Sequence, residues 1–315
     1  MHASILVFFG VTSFKSETLQ EATLNMPVAT TGGAKKDIIM TALDGRMLKY
    51  FQSYSYVPPV TKTFQDVIPA KECGDAPTFE GFFALDLKQR SANNEDKWFY
   101  NNVFINNTKG NNVTGTFVEI GAFNGVEESN TRFFEACLGW EGLLVEGSPV
   151  NYRGVLRDRP HAHKMSFAPS CDAEYERVNK TVQFSKFPWS NSGLKGHAKS
   201  YDKPDSHVDV PCGPFSPVLE DIFLNKRINF FSLDVEGAEK RVLDTIDFSK
   251  VTIDVMMIEI QNAHCGKVCE VREQVRQKMS SEGYLRYEGL IPKSDIYIHP
   301  KSTYQLPTTF QAASS

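Results

Sequence analysis

The segment Thr116-Phe-Val-Glu-Ile-Gly-Ala-Phe-Asn-Gly125 joins a short β-rich run to a glycine loop, and that junction restricts the fold more than any other stretch of the chain. A helical stretch through Leu138 follows, which Gly139 is placed to end. Gly142-Leu-Leu-Val-Glu146 is then an unbroken aliphatic strand. A helix with Tyr152, Val155 and Leu156 on one face comes next, closed by Pro160. Strand, helix, strand, helix is the rhythm of a parallel sheet.

The rhythm breaks from about 168 to 212, where Lys186-Phe-Pro-Trp-Ser-Asn-Ser-Gly193 reads as part of an insertion near the site. It resumes with a helix from Val218 to Leu224, a strand from Asn229 to Asp234, a helix from Ala238 to Ile246 and the buried strand Val255-Met-Met-Ile-Glu-Ile260. A last helix from Glu270 to Glu282 and short strands at Tyr284 to Tyr287 and Ile296 to Ile298 finish the pattern. The body therefore runs over 76–303. Residues 1–75 read as an irregular leader, with turn chemistry at Thr30-Thr-Gly-Gly-Ala-Lys-Lys36, and residues 304–315 as a disordered tail. Within 1–13, the apolar run from Ile5 to Val11 is too short to span a bilayer and reads as a brief signal peptide or a stray strand.

Thirty-eight acidic against 34 basic side chains give a net charge of -4, which leaves no broad basic field and makes nucleic acid a poor partner. Six cysteines are too few for a disulfide-dense scaffold. With three Asn-X-Thr triplets, at Asn106, Asn112 and Asn179, they lean toward the secretory pathway rather than the cytoplasm. His264-Cys265-Gly-Lys-Val-Cys269 lacks the spacing of a zinc knuckle and reads as a local disulfide or ordinary loop cysteines, so no metal is expected.

A glycine turn between strand and helix lets a ligand approach the backbone at the carboxyl edge of a parallel sheet. Gly121 and Gly125 fall there, with Ala122, Phe123 and Asn124 between them as the expected cofactor loop. The spacing is acid-X-Gly-X-X-X-Gly rather than the dinucleotide Gly-X-Gly-X-X-Gly. Glu119 inside it would repel pyrophosphate but attract, directly or through water, the ammonium of S-adenosylmethionine (SAM), which favours SAM over NAD. Glu146 ends the second strand, where Rossmann-like sites place an acid against ribose hydroxyls. Ser232-Leu-Asp-Val-Glu-Gly-Ala-Glu239 gathers three carboxylates where a strand turns into a helix. Glu236 and Glu239 suit a helix first turn, and Asp234 is left at the mouth of the site. Phe184, Phe187, Trp189 and Tyr201 serve either as an acceptor platform or as a cap on the sheet.

Taken together, Phe117 to Gly125, Trp140-Glu-Gly-Leu-Leu-Val-Glu146, Ser232 to Glu239 and Met257-Ile-Glu-Ile260 resemble, in order and spacing, the FkbM family of methyltransferases. Val210-Pro-Cys-Gly-Pro and Cys171 look like its eukaryotic branch, which includes Star-like secretory-pathway proteins. The resemblance implies a Rossmann-like class I fold with a seven-stranded, mostly parallel sheet and helices on both faces. It also implies SAM as cofactor and O-methylation of a hydroxyl on a sugar, glycan or other small acceptor. The different-class expectation is a Star-like binding or trafficking module without turnover. An O-methyltransferase needs a base for the hydroxyl proton. The candidates are Asp234 and His264 first, then Glu236 and Glu259.

Overall fold

A computed structural model describes residues 45–60, 71–105, 115–197, 205–224, 227–260 and 269–313. Nine strands occur among them in chain order: β1 (Thr116–Ile120), β2 (Glu141–Val145), β3 (His163–Met165), β4 (Thr181–Ser185), β5 (His207–Pro211), β6 (Ile228–Leu233), β7 (Ile253–Glu259), β8 (Leu285–Ile291) and β9 (Ser294–Ile298). Seven form one sheet in the order β3-β2-β1-β6-β7-β9-β8. Its first five strands are parallel, and β9 runs antiparallel to both neighbours. The sheet is mixed, mostly parallel and Rossmann-like, as the strand pattern predicts.

The described α-helices are α1 (Gly45–Ser53), α2 (Glu80–Phe83), α3 (Glu95–Phe99), α4 (Arg132–Ala136), α5 (Pro149–Asp158), α6 (Ala173–Val178), α7 (Ser216–Phe223), α8 (Glu239–Leu243) and α9 (Glu270–Ser281). None is long and apolar enough to cross a membrane. Every residue of β1 and β7 is buried, as strands covered on both faces must be. Neighbours on β6 show which elements cover them. Phe230 packs on Phe99 of α3 and Phe134 of α4, whereas Phe231, on the opposite face, meets Phe215 at the start of α7. Helix α5 starts where Ser148 accepts the Asn151 amide and Pro149 occupies the first turn.

Three sequence expectations need correction. The body begins well before residue 76. Helix α1 ties to α7 through a hydrogen bond from Tyr50 Oη to Asp221 at 2.7 Å, and Tyr54 stacks on Phe167 with ring centroids 4.1 Å apart. Val57 then bridges Lys164 at the β3 edge, and Cys73 is disulfide-bonded to Cys137. Pro58 and Pro59 give this stretch the composition of a linker, yet Tyr50, Tyr54 and Tyr56 are buried. The tail through 313 is likewise packed. Tyr304 and Leu306 are buried, and Phe310 lies 5.9 Å from Trp98. The helix expected from the glycine loop through Leu138 shrinks to α4, for a reason that lies in the site.

The insertion is a small unit of its own, with α6 and the antiparallel pair β4 and β5. Cys171 and Cys212, 41 positions apart, close its base. Chain-entropy arguments give a loop of that length about 2–4 kcal/mol of stabilisation. We predict that replacing both cysteines by alanine lowers the unfolding free energy by about that amount in urea titrations. No change would mean that the insertion holds its shape without the bridge.

Candidate functional site

The strand order reverses between β1 and β6, so the chains leaving their carboxyl ends diverge and leave a cleft, the place where open parallel sheets bind ligands. Glu119, Gly121, Ala122 and Phe123 line it from the β1 side, and Ser232, Asp234 and Glu236 from the β6 side. Glu127, Glu128, Ser129, Asn130 and Ser190 complete the wall, with no lysine or arginine among the described lining residues. Gly121 has a φ of 86°, and a Cβ there would lie 1.8 Å from the Asp234 carbonyl oxygen, so only glycine lets the two loops approach. Gly125, at a φ of 84°, leaves room for the side chain of Arg159, whose Cγ a Cβ would meet at 2.8 Å.

Arg159, at the end of α5, is 1% exposed. Its guanidinium donates to Glu135, to the Gly125 carbonyl at 3.1 Å, to Ser129 Oγ at 2.9 Å and to Thr131 Oγ1 at 3.2 Å. Glu119 lies 3.6 Å from the same guanidinium. Its carboxylate accepts from Ser129 Oγ at 2.8 Å, the Asn130 amide at 2.7 Å and Thr131 Oγ1 at 2.6 Å. Residues 129–131 are thereby bent around a buried carboxylate instead of entering a helix, and α4 starts only at Arg132. Glu119 was expected to meet an ammonium. Here its oxygens are committed to the loop, which it anchors.

Glu146 follows β2 and is buried. One oxygen accepts the Phe123 amide at 2.8 Å and the other the Ser148 amide at 2.6 Å. Burial pushes its pKa up to about 8, against the pull of those two donors. It fixes Phe123, itself part of the cleft wall, in a left-handed turn at φ 46°. Asn124 caps the same loop by accepting the amides of Val126 and Glu127. The insertion covers the neighbouring edge: Phe184 lies against Gly147, and Asn151 donates to the Trp189 carbonyl at 3.2 Å.

The other wall is acidic. Asp234 is half-buried, and Glu236 occupies a left-handed turn at φ 57°. Burial first, and then the charges of Asp234 and Glu239, push Glu236 up to about 7. Glu239 is also raised to about 7 by burial, although its Oε1 accepts the Val235 and Gly237 amides at 3.1 Å each. Burial and the nearby Asp234 raise Glu259, and burial raises Asp234. The structure thus brings Asp234, Glu236, Glu239 and Glu259 together, while His264 lies outside the described residues.

A family model for the methyltransferase FkbM domain matches residues 119–286, from the acid of the glycine loop to the start of β8. The chain belongs to the FkbM methyltransferase family. No curated protein matches it. Of the cleft, the sequence shows the loop and the strand-end acids. It does not show Arg159, whose position before Pro160 carries no local signal, or Glu239 as a member of the acid group rather than a helix first-turn residue. Ser190, contributed by the insertion, was legible only as part of an aromatic segment.

Two predictions follow from this arrangement. Arg159→Met leaves Glu119 and Glu135 buried without their cation and should cost about 3–5 kcal/mol in chemical denaturation. A loss below about 1 kcal/mol would contradict the anchoring role. Secondly, Glu146, Glu236 and Glu239 hold protons in the folded chain that the unfolded chain releases above its ordinary value of 4.5. Unfolding therefore releases protons, and their contribution is full below that value and lost as pH rises toward about 8. The urea midpoint should fall between about pH 5 and pH 8, less steeply in Glu236→Gln. Identical slopes in the two proteins would remove Glu236 from the set.

Proposed function

We propose that the cleft binds SAM and that the protein is a SAM-dependent O-methyltransferase acting on a hydroxyl of a sugar, glycan or similar small acceptor. The observation that carries this reading is the lining: acids and hydroxyls, with no basic residue among the described ones, at the switch point of a methyltransferase-family sheet. Such a donor set fits the sulfonium and ammonium of SAM and opposes a pyrophosphate. In this reading Gly121 to Gly125 form the cradle, Glu146 orders it through Phe123, and Glu119 shapes it from below. When bound, SAM supplies an electrophilic methyl group.

The hydroxyl proton goes to Glu236, which lines the cleft and titrates near neutrality, where a general base is most effective. Asp234 stands beside it. For the acceptor, support comes from Trp189, 45% exposed and stacked on Phe187 with ring centroids 4.7 Å apart, next to Ser190 in the cleft wall. A flat aromatic face beside hydroxyls suits a sugar ring. Tyr201 lies outside the described residues. Two disulfides among the described residues and an exposed Asn179 in the turn after α6 support a place in the secretory pathway.

Calorimetric titration with SAM, S-adenosylhomocysteine and NAD tests the reading. The first two should bind in the micromolar range and NAD should not, with Glu146→Gln weakening both by about tenfold or more. Glu236→Gln should retain that affinity and slow methyl transfer by about 10²–10⁴-fold. Failure of all three ligands would leave the fold as a Star-like binding module.

A further inference from the structure

Binding a methyl donor leaves the deeper acids behind Asp234 without an explanation. Asp234, Glu239 and Glu259 each bring an oxygen to within 4.8 Å of the other two, from the end of β6, the start of α8 and the end of β7. Glu259 is 7% exposed; its side chain is hydrogen-bonded to Asp234, and its Oε2 is buried with no hydrogen-bond partner. Among the described residues none of the three carboxylates has an ion-pair partner. Lys293, in the turn between β8 and β9, is exposed and acts on Asp234 only at longer range. Glu128 and Glu236 face the group from the cleft and add negative charge. A buried carboxylate oxygen with no donor, on a side chain grouped with two other acids, is stabilised by a bound cation.

We propose that Asp234, Glu239 and Glu259 bind a divalent cation of the Mg2+ or Mn2+ class at the inner end of the cleft. All three donors are hard oxygens, which select Mg2+, Mn2+ or Ca2+ over thiophilic metals. Three protein oxygens leave coordination positions open, and Asp234 places the ion at the cleft wall. Resting on the methyltransferase reading, its task is to hold the acceptor's oxygen and lower the pKa of that hydroxyl, so that Glu236 can take the proton.

The test uses the full chain, stripped with EDTA and titrated with Mn2+ while the signal of free Mn2+ is followed by electron paramagnetic resonance. The expected result is one Mn2+ per chain, displaced by Mg2+, with affinity reduced at least tenfold in Glu259→Gln. That variant relieves repulsion and should unfold at the same or a higher temperature than the metal-free parent. If it fails to fold, Asp234→Asn gives the same readout. No uptake by the folded parent chain, or uptake unchanged in the variant, overturns the proposal. A separate titration of the stripped protein with S-adenosylhomocysteine keeps the two ideas apart. Binding there without Mn2+ uptake rejects the metal alone, and Mn2+ uptake without nucleoside binding rejects the methyltransferase reading alone.

Discussion

A guanidinium and two carboxylates, buried together beneath the glycine loop, set the geometry on which the rest of the site depends. Arg159 reaches from the end of α5 to the Gly125 carbonyl, Ser129 and Thr131, and Glu119 grips residues 129–131 from the end of β1. Each charge would be costly in that interior alone, and each is tolerable because the other two are there. The consequence is local and large. Residues 126–131, read from the sequence as the start of a helix, are held as an open loop, and four of them, Glu127 to Asn130, line the cleft. Gly121 and Gly125 are required by the same arrangement, one facing the Asp234 carbonyl and the other the arginine stem.

The opposite wall obeys a different rule. There the carboxylates of Asp234, Glu236, Glu239 and Glu259 crowd together, with exposed Lys293 acting on them at longer range, and burial drives their proton affinities up. Crowded acids of this kind are unfavourable for folding and are found where a ligand or a reaction uses them. One wall pairs its buried carboxylates with Arg159. The other keeps its unbalanced charge for whatever enters.

The chain's fold was readable because buried parallel strands are written as continuous aliphatic runs: Gly142 to Val145 and Val255 to Ile258 each appear in the sequence as the strand they become. Boundaries were less readable where long-range contacts decide them. Tyr50, Tyr54 and Phe310 look like residues of a leader and a tail until their partners Asp221, Phe167 and Trp98 are known. In the site, Gly121, Gly125, Glu146 and Asp234 announced themselves by position at strand ends. Arg159 did not, because its meaning comes from Glu119 and Glu135, 40 and 24 positions away. Glu239 satisfied a helix-start rule locally, which hid its second role beside Glu259.

The proposed function requires a cationic methyl donor in the acid-lined cleft between the β1 and β6 ends. A crystal structure of the protein grown with S-adenosylhomocysteine tests it most directly. Density is expected for the amino-acid half between Gly121 and Asp234, with the nucleoside directed toward Phe123 and the end of β2. Density elsewhere on the molecule, or a cleft that stays closed by the insertion at saturating ligand, would contradict it.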